Sequence, residues 1–148
     1  MRRAALLIMT GAIATAGGAS AQSTTTITVC GASAGKSYQA SGPPAGWADD
    51  GIAAGRITFV RKREGYDVVI TDAVTTFSAR EDGASIVVAP GSSAEQLTLI
   101  AAYPLGTVET YQLAVDAAGN GKLIWSALKN GLAGVVKGSL FTAACRRP

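Results

Sequence analysis

The sequence contains no histidine, and this absence excludes several common kinds of catalytic and metal-binding site. Without histidine, neither a Ser-His-Asp nor a Cys-His nucleophile can form, and no zinc can be held through imidazole. The side chain best suited to proton transfer near neutral pH is also missing. Charged residues are few, at 16% of the chain against a typical value of about 25%. A disordered chain or a nucleic-acid-coating protein is therefore a poor interpretation.

Long apolar runs are absent apart from one at the N-terminus. Arg2 and Arg3 precede an apolar run over residues 4–16, and small residues close the segment with Ala19-Ser20-Ala21. A basic start, a short apolar stretch and an A-x-A site predict a secretory signal peptide, residues 1–21, cleaved after Ala21. The run is too short for a transmembrane segment, which needs about 20 apolar residues. We expect a periplasmic or secreted product with no stable membrane anchor, and twin-arginine export stays an alternative to the general secretory route.

The remaining residues, 22–148, have the length of a single domain. The whole chain has 13 Lys and Arg against 10 Asp and Glu, a formal net charge of +3. Cleavage would remove Arg2 and Arg3, leaving 11 basic against 10 acidic residues and a net charge of +1. Because a nearly neutral domain has little attraction for a phosphate backbone, we expect no nucleic-acid partner.

Cysteine is scarce, and the two that occur lie near opposite ends of the predicted domain, at Cys30 and Cys145. In an exported protein such a pair predicts one disulfide. A redox or metal-binding pair is disfavoured, because there is neither a C-x-x-C spacing nor a histidine. The bond would require the first and last strands to lie close together.

Helical periodicity is missing over any length that would form a long helix, and short apolar runs separated by turn residues take its place. Alternation with a period of two predicts strands with one buried face each. The candidate strands are residues 23–30, 56–61, 66–71, 74–79, 84–89, 96–103, 107–115, 122–128 and 135–145. One or two of these could merge or fail to pair, so we expect eight to nine strands.

The order of these strands predicts an all-β fold. Nearly every connection is short enough for a hairpin, so an antiparallel meander is the simplest topology. With its ends joined by a disulfide, such a meander closes most economically as a small up-and-down barrel, because closure removes exposed edges. A two-sheet β-sandwich is the alternative. Only residues 47–54 (WADDGIAA) could form a helical turn or two.

Residues 31–35 (GASAG) formally match the G-x-S-x-G nucleophile elbow. That motif works because a strained strand-to-helix turn exposes the serine beside a histidine base. Here there is no histidine, and no long helix follows. We therefore interpret the segment as a Gly/Ser-rich loop after the first strand.

Acidic residues are the remaining candidates for acid–base chemistry, as in glycoside hydrolysis. Most of them fall in predicted turns. Asp67 is expected to point outward, because Tyr66, Val68 and Ile70 alternate with it on the buried face. The orientation of Glu109 stays open. We predict no catalytic residue, no metal and no cofactor, and an Asp/Glu-based hydrolase is the least favoured function.

Two features are candidates for partner contact. Trp47 lies in the Pro/Gly-rich segment 41–50, a class of connection that often carries binding sites. We favour a ring buried as a cap on one open end of the barrel, and the alternative is an exposed aromatic in a recognition loop. The basic cluster Arg61-Lys62-Arg63 falls in the first hairpin. A solvated turn explains it most simply, and contact with anionic headgroups, acidic polysaccharide or a protein is the functional alternative.

Several short motifs are spread over most of the predicted domain. They are Cys30-Gly31, Gly35-Lys36-Ser37-Tyr38, Trp47 with Asp50-Gly51-Ile52, Gly65-Tyr66-Asp67, Asp82-Gly83-Ala84, Tyr103-Pro104, Thr107-Val108-Glu109-Thr110-Tyr111 and Cys145. In these the chain resembles small uncharacterised exported proteins predicted from bacterial genomes. The resemblance implies a secreted β-domain with one disulfide and nothing about a substrate.

These observations favour a non-catalytic exported β-domain that acts through protein or cell-envelope contacts. The alternative is a carrier of a small apolar ligand inside the barrel. Small side chains at the expected inward positions Ala101, Ala127 and Ala143 would leave room for such a ligand. The expected partner is accordingly an envelope protein or a small apolar molecule.

Overall fold

The computed structural model describes residues 23–43, 45–130 and 134–148, and the predicted signal peptide lies outside them. These residues are all-β and include no helix. The strands are β1 (Thr25–Gln39), β2 (Gly46–Ile52), β3 (Arg56–Lys62), β4 (Gly65–Thr71), β5 (Thr76–Ser78), β6 (Ser85–Val88), β7 (Gln96–Ala102), β8 (Thr107–Val115), β9 (Asn120–Asn130) and β10 (Val136–Arg146).

Nine strands follow one another in a single, strongly curled antiparallel sheet, in the order β5-β4-β3-β1-β10-β9-β8-β7-β6. Apart from β2, this is a meander whose first and last strands pair, so the predicted up-and-down, barrel-like fold class is confirmed. The ring stays open between β5 and β6. Nine alternating strands leave both edge strands pointing the same way, so β5 and β6 cannot close the ring as an antiparallel pair. Residues 79–84 span the opening instead, with Ala79 and Ala84 buried.

The expected pairing of Cys30 with Cys145 is confirmed. The two residues lie directly opposite each other in the β1–β10 register and form a disulfide across 115 positions of sequence. A disulfide of this kind is typical of proteins that reside in a non-reducing compartment.

Strand β2 is a correction to the expected helical turn at residues 47–54 and brings the described strands to ten. Strand β1 is long, and β10 occupies one of its sides. Its other side pairs with β3 over the first half and with β2 over the second half. Without β2, the second half of β1 would present unpaired backbone groups, so the pairing outweighs the local helical tendency.

Residues 31–35 are a second correction, because they continue β1 and do not form a loop. The strand is irregular between Cys30 and Ser33, where its register against β10 shifts. Beyond that bulge, glycine lets the strands approach closely. A Cβ on Gly35 would lie 1.9 Å from the Leu140 carbonyl oxygen, and one on Gly51 would lie 2.2 Å from the Ser33 carbonyl oxygen. Gly35 and Gly51 are therefore needed for sheet packing, whereas a Cβ on Gly31 would meet nothing within 4 Å.

The barrel interior has two ends. We call the end with the β3–β4 and β8–β9 turns the lower end, and the end with the β1–β2, β7–β8 and β9–β10 connections the upper end. Predicted alternation places the core of the lower end correctly, with buried Leu97, Leu113 and Leu123 facing inward. Phe59, Tyr111, Trp125 and Phe141 cross the middle as a chain of aromatic contacts, with ring centroids 4.8–5.9 Å apart.

Candidate functional site

Toward the upper end, the inward side chains change from apolar to charged. Each of three neighbouring strands has an ionisable residue near the upper end of its inward row: Glu109 on β8, Lys129 on β9 and Lys137 on β10. Asp50 on β2 and Asp72 after β4 complete the ring. Together with aromatic and small side chains, these residues line a cavity of about 230 Å³, which we call the mouth cavity. Its remaining lining residues are Gly51, Ile52, Ile70, Phe77, Trp125, Ala127, Ser139 and Phe141.

Glu109 is a buried carboxyl group held by two phenols. The Tyr111 hydroxyl donates to its Oε2 at 2.5 Å, and the Tyr103 hydroxyl donates to the same oxygen at 3.2 Å. Burial raises the pKa of Glu109, while these two hydrogen bonds and the charge of Lys129 oppose the rise without cancelling it. Its orientation, left open by the sequence, is inward.

Asp50 and Lys137 form an ion pair across the cavity rim, with Nζ 2.6 Å from Oδ2. The backbone N–H of Gly51 also donates to Asp50 at 2.8 Å. Burial acts to raise the pKa of Asp50, but the bonds from Lys137 and Gly51 outweigh it, so the pKa lies below its usual range. At the opposite rim, Asp72 accepts backbone N–H groups of its own turn. Each carboxyl group of the cavity therefore already accepts hydrogen bonds from within the protein.

Trp125 forms part of the lining where the charged region meets the aromatic core. Its side chain is only 7% exposed, and its Nε1 is buried with no hydrogen-bond partner among the described residues. Lys129 forms no ion pair with any described residue. A buried donor without an acceptor costs about 1–3 kcal/mol, and the Thr28 hydroxyl is the other buried side-chain group of the described residues without a hydrogen-bond partner.

A groove on the outside adjoins the mouth cavity near the opening between β5 and β6. It has a volume of about 490 Å³ and shares Phe77, Glu109 and Lys129 with the mouth cavity. Its other lining residues are Asp82, Tyr103, Pro104, Leu105 and Thr107. We call it the rim groove. Three of its lining residues are ionisable, and Phe77, Tyr103, Pro104 and Leu105 supply its apolar surface.

The outer face of the sheet carries a row of exposed apolar side chains. Strand register aligns Val108, Leu128, Gly138, Tyr38 and Trp47 across β8, β9, β10, β1 and β2. At a strand spacing of about 4.8 Å, such a row extends about 19 Å across the sheet. We call the exposed members Val108, Leu128, Tyr38 and Trp47, with Leu140 from the adjacent row, the outer band.

Trp47 lies at the end of this band, and the expectation that its ring is buried is wrong. The side chain is 72% exposed and packs against Tyr38, with ring centroids 5.3 Å apart. The alternative of an exposed aromatic is correct, although Trp47 lies on a strand and not in a loop. Because Ala48 and Asp50 take the inward positions of β2, alternation turns Trp47 outward.

The basic hairpin is partly occupied by internal contacts. Lys62 donates to Asp67 at 2.8 Å and keeps its side chain only 16% exposed. The guanidinium of Arg61 lies 5.7 Å from the ring centroid of Tyr66. Arg63 is exposed. The predicted role of Arg61, Lys62 and Arg63 in binding stays a prediction, with Arg61 and Arg63 exposed and Lys62 partly buried.

Asp67 corrects a further expectation, since it is fully buried. It pairs with Val60 on the outer face as alternation requires, but later residues cover it there. Ser78 donates to it at 2.6 Å and the Arg80 N–H at 3.2 Å. Burial acts to raise the pKa of Asp67, but hydrogen bonds from Lys62 and Ser78 outweigh it and hold the pKa below the usual range.

Sequence reasoning missed Lys129, Lys137 and Asp50 as parts of one site. The signal was available for two of them. Lys129 shares inward parity with Trp125 on β9, and Lys137 shares it with Phe141 on β10. Asp50 could not be placed, because the segment was not expected to be a strand.

The chain matches no protein-family model, and the comparisons with curated proteins and with solved structures find no match. Among the described residues there is no helix long and apolar enough to cross a membrane.

Proposed function

We propose that this protein is a non-catalytic, exported β-domain of the cell envelope that works by binding another protein through the outer band. The observation that carries the proposal is the register itself. It aligns four exposed apolar side chains in one row across the sheet, with Leu140 beside them. Contiguous exposed apolar patches on soluble proteins mark interaction sites, whereas scattered apolar residues do not.

The polar surroundings of the outer band favour a protein over a lipid surface. Next to the band, Lys36 is paired with Asp49 at 2.8 Å. Binding to anionic lipid typically uses clusters of about 4–8 unpaired Lys and Arg residues. An apolar row with neutralised charges beside it resembles the centre and rim of a protein interface.

Trp47 and Tyr38 give the band its strongest anchor. Both are aromatic, a class enriched among the residues that dominate interface energetics. Their mutual packing holds Trp47 in place before a partner arrives, which lowers the entropy lost on binding. The export that this proposal assumes rests on the predicted signal peptide and is supported by the disulfide.

The test is capture of a partner from the envelope extract of the source organism with purified protein carrying single substitutions. Leu128→Glu places a charge in the middle of the band, and Val74→Glu is the control at a 93% exposed apolar residue in the β4–β5 turn. We expect the wild type and Val74→Glu to retain the same partner, and Leu128→Glu to lose it. Equal retention by all three would overturn the proposal. A dimer seen by light scattering and abolished by Leu128→Glu would replace the partner with a second copy of this chain.

A further inference from the structure

Two donors among the residues that line the mouth cavity have no acceptor in the described part of the chain: Trp125 Nε1, which is buried, and the ammonium of Lys129, which is exposed. Its three carboxylates, Asp50, Asp72 and Glu109, already accept hydrogen bonds from within the protein. Trp125 Nε1 has no acceptor, and the Lys129 ammonium has no carboxylate partner within the part of the chain that the structure describes. The group that would complete this cavity is therefore an acceptor, and an anionic one suits both donors.

Two of the three carboxylates around the cavity have their charge offset, whereas hydrogen bonds from its own turn lower the pKa of Asp72 at the rim and favour its ionised form. Asp50 is neutralised by the ammonium of Lys137 at 2.6 Å. Burial raises the pKa of Glu109, so its protonated, uncharged form persists to higher pH than in water. Lys129 acts on the same region from β9. Burial of a ligand charge is tolerated only where such a partner exists.

The mouth cavity and the rim groove adjoin each other at Phe77, Glu109 and Lys129, and their volumes indicate the size of the ligand. The mouth cavity, about 230 Å³, corresponds to roughly seven or eight water molecules at about 30 Å³ each, which suits a small polar head. The rim groove adds about 490 Å³ beside Phe77, Tyr103, Pro104 and Leu105, which suits an apolar body.

We propose that the mouth cavity and the rim groove together bind a small monocarboxylic acid with an aliphatic or aromatic body. The carboxylate accepts a hydrogen bond from Trp125 Nε1 and faces the Lys129 ammonium, while the body lies against Phe77 and Tyr103. This site is separate from the outer band. It also changes the expected ligand from an apolar molecule to an amphipathic acid, because five of the residues that line the mouth cavity are ionisable.

Tryptophan fluorescence provides a direct measurement. The chain has two tryptophans, so a Trp47→Phe variant leaves Trp125 as the sole reporter. Octanoate is the probe, and octanol, which has the same body without the charge, is its control. We expect a saturable change with octanoate and at least about tenfold weaker binding of octanol, as for loss of a charge-assisted hydrogen bond. Calorimetry on the wild-type protein should give the same order of affinities.

Single substitutions then assign the contacts. Lys129→Met keeps the length of the side chain and removes its charge, and we expect octanoate to bind about tenfold or more weakly. Lys122→Met is the matched control, since Lys122 is an exposed lysine on the outer face of the same strand, and octanoate affinity should be unchanged. Trp125→Phe keeps a ring and removes the donor, and we expect weakened octanoate binding by calorimetry.

The outcomes that overturn the site are equally definite. Equal affinity for octanoate and octanol would eliminate the carboxylate contact. Unchanged octanoate binding by Lys129→Met would remove the assigned cation, even if Trp125→Phe proved too unstable to measure. The absence of saturable binding for octanoate and also for benzoate would reject both the aliphatic and the aromatic form of the ligand.

Discussion

The two ends of the barrel interior differ in what fills them, although the same strands build both. Along β9 the inward side chains run Leu123, Trp125, Ala127 and Lys129 from the lower end to the upper end. Strand β10 shows the same gradient, from Cys145 and Ala143 to Ser139 and Lys137, and β8 runs from Val115 to Glu109. The lower end is closed by apolar packing and a disulfide, whereas the upper end holds small and ionisable side chains around a cavity.

This gradient separates stability from chemistry within one sheet. Apolar burial contributes about 25 cal/mol per Å², so the lower end supplies most of the stabilisation. The upper end gives up part of that contribution, since five ionisable residues line its cavity where the lower end packs apolar side chains. Functional sites are commonly less stable than the scaffold that holds them. Changes that stabilise or destabilise the two ends differently therefore test the comparison.

The largest expected effect is at the lower end, where the disulfide closes a loop of 115 positions. Replacing both Cys30 and Cys145 with serine should lower the free energy of unfolding by about 4–5 kcal/mol, because the unfolded chain regains the entropy of that loop. Denaturant unfolding of the variant, compared with the wild type under reducing and oxidising conditions, measures the loss. Reduced wild type should match the variant. A loss below about 1 kcal/mol would show that strand pairing alone holds β1 to β10.

A pair of alanine substitutions compares the packing of the two ends directly. Ala143 lies in the lower core, and Ala127 lines the mouth cavity. Ala143→Leu should destabilise the protein by about 1–3 kcal/mol, because the lower end has no room for the added carbons. Ala127→Leu fills cavity volume and should be neutral or stabilise the protein by up to about 2 kcal/mol. Thermal or denaturant unfolding of the two variants gives both values, and equal losses would contradict the gradient.

How far the sequence predicts this gradient depends on the element. Alternation in β7, β8 and β9 is local, so inward residues such as Leu99 and Leu123 could be assigned without knowing their neighbours. The disulfide followed from the count and placement of the cysteines. Strand β2 could not be predicted, because its formation depends on the unpaired side of β1. The burial of Asp67 could not be predicted for a similar reason, since residues from β5 onward cover its side chain.

The buried carboxyl groups of Asp67 and Glu109 should make the free energy of unfolding depend on pH in opposite ways. The pKa of Asp67 is lowered on folding, so its contribution is full above its unfolded value of about 3.9 and is lost as pH falls through the folded pKa. The pKa of Glu109 is raised, so its contribution is full below about 4.3 and is lost as pH rises through the folded pKa. Asp67→Asn should therefore flatten the acid side of the stability profile, and Glu109→Gln should flatten the side above its unfolded pKa.

Unfolding free energies of the wild type and both variants across the acid-to-neutral range provide the measurement, with slopes compared rather than absolute values. Each variant acts as the control for the other, because they should alter opposite sides of the profile. If the unfolding free energy of Glu109→Gln changes with pH in parallel with that of the wild type throughout the range, the pKa of Glu109 is not raised by folding.

The smallest expected effect on stability is at Trp47, on the outside of the upper end. Trp47→Ala removes a side chain that is 72% exposed and contacts mainly Tyr38, so unfolding free energy should change by no more than about 0.5 kcal/mol. Trp125→Ala is the matched comparison, since it removes a buried tryptophan and should cost about 3–5 kcal/mol. Denaturant unfolding of both variants gives the two losses. A large loss of unfolding free energy at Trp47 would mean that the outer band stabilises the fold itself. The exposure of Trp47 would then be explained by stability and would no longer support a partner.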